Sequence, residues 1–209
     1  MNFDISNYPI CDADIWVNIC LGDFSNRIFD KHEKLIFADV VEKEILKWDK
    51  SGSFSFIADF FKTCKSEGLI HVIQHDVHID DEDRPVLEQM LFDLDFKFGF
   101  DKNEQHKGEF VSAIYADHFN LPFMKTNDGA FQEGGKGKAE FVDLEIKNWY
   151  SVVDEYAYDH DEKIRVRAKV SQERIRMNSH KQKYEESKAE ADKQNMLKLL
   201  ESKFNSRRN

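Results

Sequence analysis

Short apolar runs of strand length alternate along this chain with stretches whose apolar residues recur every three or four positions. That alternation specifies an α/β domain with a mostly parallel central sheet flanked by helices. Strands are predicted at residues 10–11, 35–37, 69–73, 122–125 and 141–144. Between them, Asp39 is placed to cap a helix carrying Val40, Val41, Ile45 and Trp48, and Ser53 one carrying Phe56, Ile57, Phe60 and Phe61, which Gly68 ends. Pro85 follows the acids Asp80, Asp81, Glu82 and Asp83 and so opens a helix through Leu87, Met90, Leu91 and Leu94. Gly108 precedes another, with Phe110, Ala113 and Ile114 following it.

The pattern changes from about Glu162. The remaining chain has no Gly or Pro, and its strong helix formers predict one long helix or a few helical segments. The stretch SHKQKYEESKAEADKQ is nearly all polar, which describes either a solvated helix held by charge pairs or a disordered segment. Met196, Leu197, Leu200 and Phe204 then restore an apolar stripe that can dock on the body, on a second copy or on a partner. The expected organisation is a body over residues 1–150 and a charged helical tail over 151–209. Charge divides the same way: 16 Lys and Arg against 29 Asp and Glu in the body, 14 against 11 in the tail, within a net charge of −10. A chain of 209 residues suffices for one domain of about 150 residues and an appendage, without a second core.

Four carboxylates interrupt apolar runs where a ligand at a strand end or on a helix face would sit. They are Asp12 in YPICDADIWVN, Glu44 in ADVVEKEILKW, Glu109 in KGEFVSAIYADHF and Asp128 in LPFMKTNDGAF. If the first strand persists, Asp12 and Asp14 point to one face. The stretch LPFMKTND repeats the layout of an apolar run followed by polar residues and an acid, and acids at strand ends line the crevice of open α/β sheets. Four acids converging to about 6 Å would repel by about 3 kcal/mol per pair at an effective dielectric near 20. A hard divalent cation removes that conflict, and oxygen ligands suit Mg²⁺ or Mn²⁺.

In this order the motifs D-x-[ND] after the first strand, V-x-x-E-[IL] in an early helix, G-E opening GEFVSAIYADHFNLP, and a strand ending T-N-D resemble the PIN domain over roughly residues 8 to 145. That family consists of metal-dependent nucleases, many of them ribonucleases and toxins of toxin–antitoxin pairs. The resemblance implies a PIN-like fold and hydrolysis of phosphodiester bonds in single-stranded or loop RNA. It makes Asp12, Glu44, Glu109 and Asp128 the catalytic acids, with Asp12, Glu109 and Asp128 as metal ligands. Asp14, Thr126 and Asn127 would then orient them. Glu109 stands where the family more often has Asp, and Asp117, eight residues on, competes for the place; the stretch from 76 to 107 is longer and more acidic than a minimal domain needs. The resemblance implies an antitoxin or other protein partner, while the apolar stripe of the C-terminal helix allows a homo-oligomer. A non-catalytic PIN-like protein of assembly or regulation is the alternative.

An acidic body repels nucleic acid, so affinity must come from the metal and from local cations such as Lys125, Lys136, Lys138 and the tail residues Arg165, Arg167, Arg174 and Arg176. His71, His75 and His78 mimic metal spacing, but on a strand His78 would face away from the other two. The run Asp80 to Asp83 lacks the register of a calcium loop, and EGGKGK reads as a turn. Cys11, Cys20 and Cys64 are odd in number without C-x-x-C spacing, which predicts buried, reduced thiols. No apolar run approaches 18 residues and no cationic start precedes an apolar core, so neither a membrane span nor a signal peptide is expected, and the expected location is the cytoplasm.

Overall fold

The structure is a computed structural model describing residues 4–96, 100 and 104–205; in the last helix beyond His180, side chains are described only at Gln182, Lys193, Gln194 and Met196. Strand β1 (Ile10–Cys11) leads into α1 (Ala13–Gly22) and α2 (Ser25–His32), β2 (Leu35–Ala38) into α3 (Asp39–Leu46) and α4 (Phe56–Ser66). Next come β3 (Ile70–Ile73), α5 (His75–His78), α6 (Arg84–Asp93), α7 (Lys107–His118), β4 (Met124–Lys125), α8 (Lys136–Glu140), β5 (Ile146–Lys147), α9 (Trp149–Tyr156) and α10 (His160–Asn205). The five strands form one sheet in the order β3-β2-β1-β4-β5, every pair parallel. The α/β class with a parallel sheet flanked by helices is therefore the observed one.

Burial on both faces accounts for the purely apolar runs of β1 and β2. β1 and β2 are interior strands, and all of Ile10, Cys11, Leu35, Ile36, Phe37 and Ala38 are buried, as parallel strands covered on both faces require. Against this layer α1 inserts Trp16, whose ring packs edge-on to Phe37 and Phe61 and stacks on Phe60, while its indole N–H donates to the carbonyl of Ile57 at 3.1 Å. A polar handle is thus satisfied inside the core. α7 lies over β1, β2 and β4, which places its first turn near the strand ends. Cys11, Cys20 and Cys64 are free and buried, in line with the composition.

Several local expectations change. The first strand stops at Cys11 and α1 begins at Ala13, so Asp12 and Asp14 are a helix cap and a first-turn residue rather than strand neighbours. The segment 141–144 is not a strand: Phe141 closes α8 through its N–H to Gly137 and packs toward Phe131, and β5 forms later, at Ile146–Lys147. α4 is preceded by Ser55 rather than Ser53, which lies in a short 3-10 turn, while Gly68, at φ +76°, follows its end. His75 opens α5 instead of continuing β3, and this turn brings the His78 ring back to 5.1 Å from His71.

The chain forms two compact units, residues 1–169 and 170–209. The first includes α9 and the start of α10, which the sequence pattern assigns to the tail. Val152 and Val153 of α9 are fully buried; Arg27 pairs with Glu162 at 3.2 Å, Arg167 with Asp154 at 2.8 Å, and Lys169 with Asp23. In the second unit α10 continues to Asn205, and Met196 is 66% exposed; the side chains of Leu197, Leu200 and Phe204 lie outside the described ones. Among the described residues no helix is long and apolar enough to cross a membrane.

Candidate functional site

Strand register builds the floor of the site. Ile10 pairs with Met124 and Cys11 with Lys125, so the residues that leave the two strands, Asp12 and Thr126, emerge side by side. The Asp12 N–H donates to the Lys125 carbonyl at 3.0 Å, and the Thr126 hydroxyl donates to Asp12 Oδ2 at 3.0 Å. Asp12 occupies the N-cap of α1 but makes no capping bond with its side chain, which is committed to Thr126. Thr126 also receives the Asp128 N–H at 3.0 Å, and Asp128 Oδ1 accepts the Ala130 N–H at 2.7 Å. Asn127 bridges outward: its amide donates to Asp14 Oδ2 at 3.0 Å while its carbonyl accepts the Trp149 N–H at 2.8 Å. β1 and β4 are sheet neighbours but not chain neighbours, so this is the point where the strand order reverses and where open α/β sheets leave a crevice.

Two helices supply the wall. Gly108 of α7 faces α3 so closely that a Cβ there would lie 3.3 Å from both Glu44 Oε2 and Val41 Cγ2. A side chain there would press on Glu44, so the glycine leaves Glu44 its path past α7 into the site. One position on, Glu109 sits in the first turn of α7, where the helix dipole favours a carboxylate. Before the helix, His106 takes the left-handed conformation at φ +62°, and its Nδ1 lies 2.6 Å from Asp128 Oδ2. Asp12, Asp14, Glu44, Glu104, His106, Glu109 and Asp128 line one cleft of about 600 Å³. His106, Glu109 and Asp128 offer ligand atoms that all lie within 4.8 Å of one another, a group that can hold a metal ion.

The electrostatics follow from burial. Asp12, 1% exposed, has its carboxyl pushed well above the usual range by loss of water, then by the charges of Glu109 and Asp14; the Thr126 hydrogen bond opposes this. Glu109 is pushed up to about 7 by burial, with its own backbone N–H opposing and the charges of Asp128 and Glu44 adding. Burial raises Glu44 as well. Among the described residues no Lys or Arg forms an ion pair with Asp12, Glu44 or Glu109. Acids held this close without a cation keep their protons longer, or exchange them for a metal.

All the acids, together with Asp14 and Asn127, line the cleft, and Thr126 supports them from beneath. The competitor Asp117 is exposed near the end of α7 and does not. The three proposed phosphate contacts stand elsewhere. Lys125 is fully buried, its Nζ 3.2 Å from the Tyr156 hydroxyl and above the rings of Phe123 and Tyr156, because a residue of β4 alternates into the core. Lys136 is paired with Asp95 at 2.7 Å, and Lys138 donates to the Leu144 carbonyl at 3.1 Å. None of the three lines the cleft.

Glu104 and His106 also line the cleft, and no periodic sequence pattern marks them. The signal for His106 was its place three residues before Glu109, but no periodicity exposes it, since it precedes the helix and enters the site only through its left-handed backbone. The other histidines form no such group among the described residues: His75 stacks on Phe100 at 4.0 Å, apart from the His71–His78 contact. No family model and no curated protein sequence matches the chain.

Proposed function

We propose that this protein is a metal-dependent endoribonuclease of PIN-like architecture, hydrolysing phosphodiester bonds in RNA with Mg²⁺ or Mn²⁺. The observation that carries the reading is the convergence of Asp12, Asp14, Glu44, Glu109 and Asp128 in one cleft at the ends of β1 and β4. An oxygen-rich donor set of this kind fits a hard divalent cation. When bound, the cation supplies Lewis-acid polarisation of the phosphate and neutralises charge on the leaving oxygen.

The chain's own residues have separable tasks. Thr126 fixes the rotamer of Asp12, the Ala130 N–H fixes Asp128, and Asn127 ties Asp14 to the start of α9, so the acids are held before substrate arrives. Glu109, whose carboxyl burial pushes up to about 7, would exchange its proton for the cation and hold it together with Asp128. Among the described residues no Lys or Arg lines the cleft, so those that line it give phosphate no counter-charge of their own.

Labelled RNA incubated with the purified full chain should be cut in Mg²⁺ or Mn²⁺, and cutting should stop with chelator. Cleavage that persists unchanged in Asp128→Asn, or absence of cleavage with every divalent cation tried, would remove the catalytic reading. The lack of basic lining among the described residues favours one second reading, a non-catalytic PIN-like protein of assembly or regulation. That reading is supported if metal binds the cleft and no RNA is cut.

A further inference from the structure

We propose that His106 is a nitrogen ligand in a metal site it forms with Glu109 and Asp128, and that the site therefore prefers a first-row transition cation to Mg²⁺. The three ligand atoms lie within 4.8 Å of one another, and His106 Nδ1 is 2.6 Å from Asp128 Oδ2. Around an ion with bonds of about 2.1 Å, adjacent ligands stand roughly 3.0 Å apart and opposite ligands roughly 4.2 Å. A small opening of the His106–Asp128 contact and a small closure of the longest separation reach that geometry.

A second observation also calls for a cation here. Asp12, lining the same cleft, is a carboxyl 1% exposed whose Oδ2 accepts the Thr126 hydroxyl and which has no ion-pair partner among the described residues. Burying a carboxylate with no charged partner is costly, and a cation in the same cleft lowers that cost. The imidazole decides which cation. Mg²⁺ demands oxygen and dehydrates reluctantly, whereas imidazole suits Zn²⁺, Fe²⁺ and their neighbours, with affinity rising along the series from Mn²⁺. His106 is half exposed, so its replacement removes no core packing.

This inference rests on the proposed function only in that both place a cation in the cleft. Mn²⁺ titrated into the full chain and followed by electron paramagnetic resonance reads the site directly, without activity. The expected result is a bound Mn²⁺ with nitrogen hyperfine coupling, held at least about tenfold more tightly than Mg²⁺ in competition, with Zn²⁺ tighter still. In His106→Ala the coupling disappears and the preference over Mg²⁺ falls by about tenfold, while circular dichroism stays unchanged. An all-oxygen spectrum, an unchanged preference in His106→Ala, or no binding of Mn²⁺ or Zn²⁺ would overturn the proposal. Because RNA cleavage is scored separately, an all-oxygen site that cuts RNA leaves the nuclease reading standing, and a nitrogen-ligated site that cuts nothing does the reverse.

Discussion

Single residues in this protein are held in conditions their chemistry resists, and those conditions give the most direct tests. Asp12 keeps its proton above the usual carboxylate range, so the folded chain binds more protons than the unfolded chain at pH values above the unfolded pKa of about 4. Stability in chelator should accordingly fall as pH rises from that value. Asp12→Asn removes this dependence: in chelator it should melt higher than the parent at pH 8, by about 1–3 kcal/mol, with little difference at pH 4, and it should not cut RNA. Thermal melts at the two pH values with a cleavage assay check both halves. Lys125 presents the opposite sign. Burial lowers it to about 7, so the cost of its charge is fully present below that pH and is relieved as pH rises toward its unfolded value near 10.4. Lys125→Met should stabilise by about 1–3 kcal/mol at pH 6 and by much less at pH 10, read from urea titrations, with RNA cleavage at pH 7 unaltered. A loss of cleavage with intact fold would return Lys125 to a functional role.

At the level of elements, the approach of α7 to α3 and the tight turn into α8 both depend on glycine, with different consequences. In Gly108→Ala the new methyl meets the movable end of Glu44 as well as Val41. Helix propensity gains up to about 1 kcal/mol, so stability should change little, while metal affinity falls severalfold because Glu44 is turned aside. At Gly135 the new methyl would come within 2.6 Å of the Ala130 carbonyl carbon and the Gly129 oxygen, which are backbone and cannot turn away. Gly135→Ala should therefore destabilise by more than about 2 kcal/mol. Melting curves and a metal titration on the two variants separate the cases; similar stability losses in both would show that α3 and α7 are packed as rigidly as the turn.

Across the whole molecule, residues 1–169 contain the sheet, the cleft and the tail-side ion pairs, while Met196 in the second unit stands 66% exposed. Met196→Asp should then change stability by no more than about 0.5 kcal/mol and leave the sedimentation mass unchanged. A lowered mass or a large loss of stability would mean that a second copy covers the stripe of Met196, Leu197, Leu200 and Phe204, the oligomer the sequence pattern allows.

The alternation of short apolar runs with helical periodicity determined the α/β class, because strands covered on both faces must be continuously apolar, as residues 35–38 are. The four acids were legible for a related reason: a charge ending a buried run needs a use or a partner. Where strand β1 ended, where β5 began and that 151–169 joins the body were not legible, since two-residue strands carry no period and ion pairs such as Arg27 with Glu162 span 135 positions. Tertiary structure alone decided the fate of the cations and of His106. Lys125 reads as a surface charge until strand register turns it inward, and His106 reads as loop until one left-handed residue swings its ring to Asp128. Sequence spacing fixes what a local segment can do, whereas pairing between β1 and β4, residues more than a hundred positions apart, fixes what those segments face.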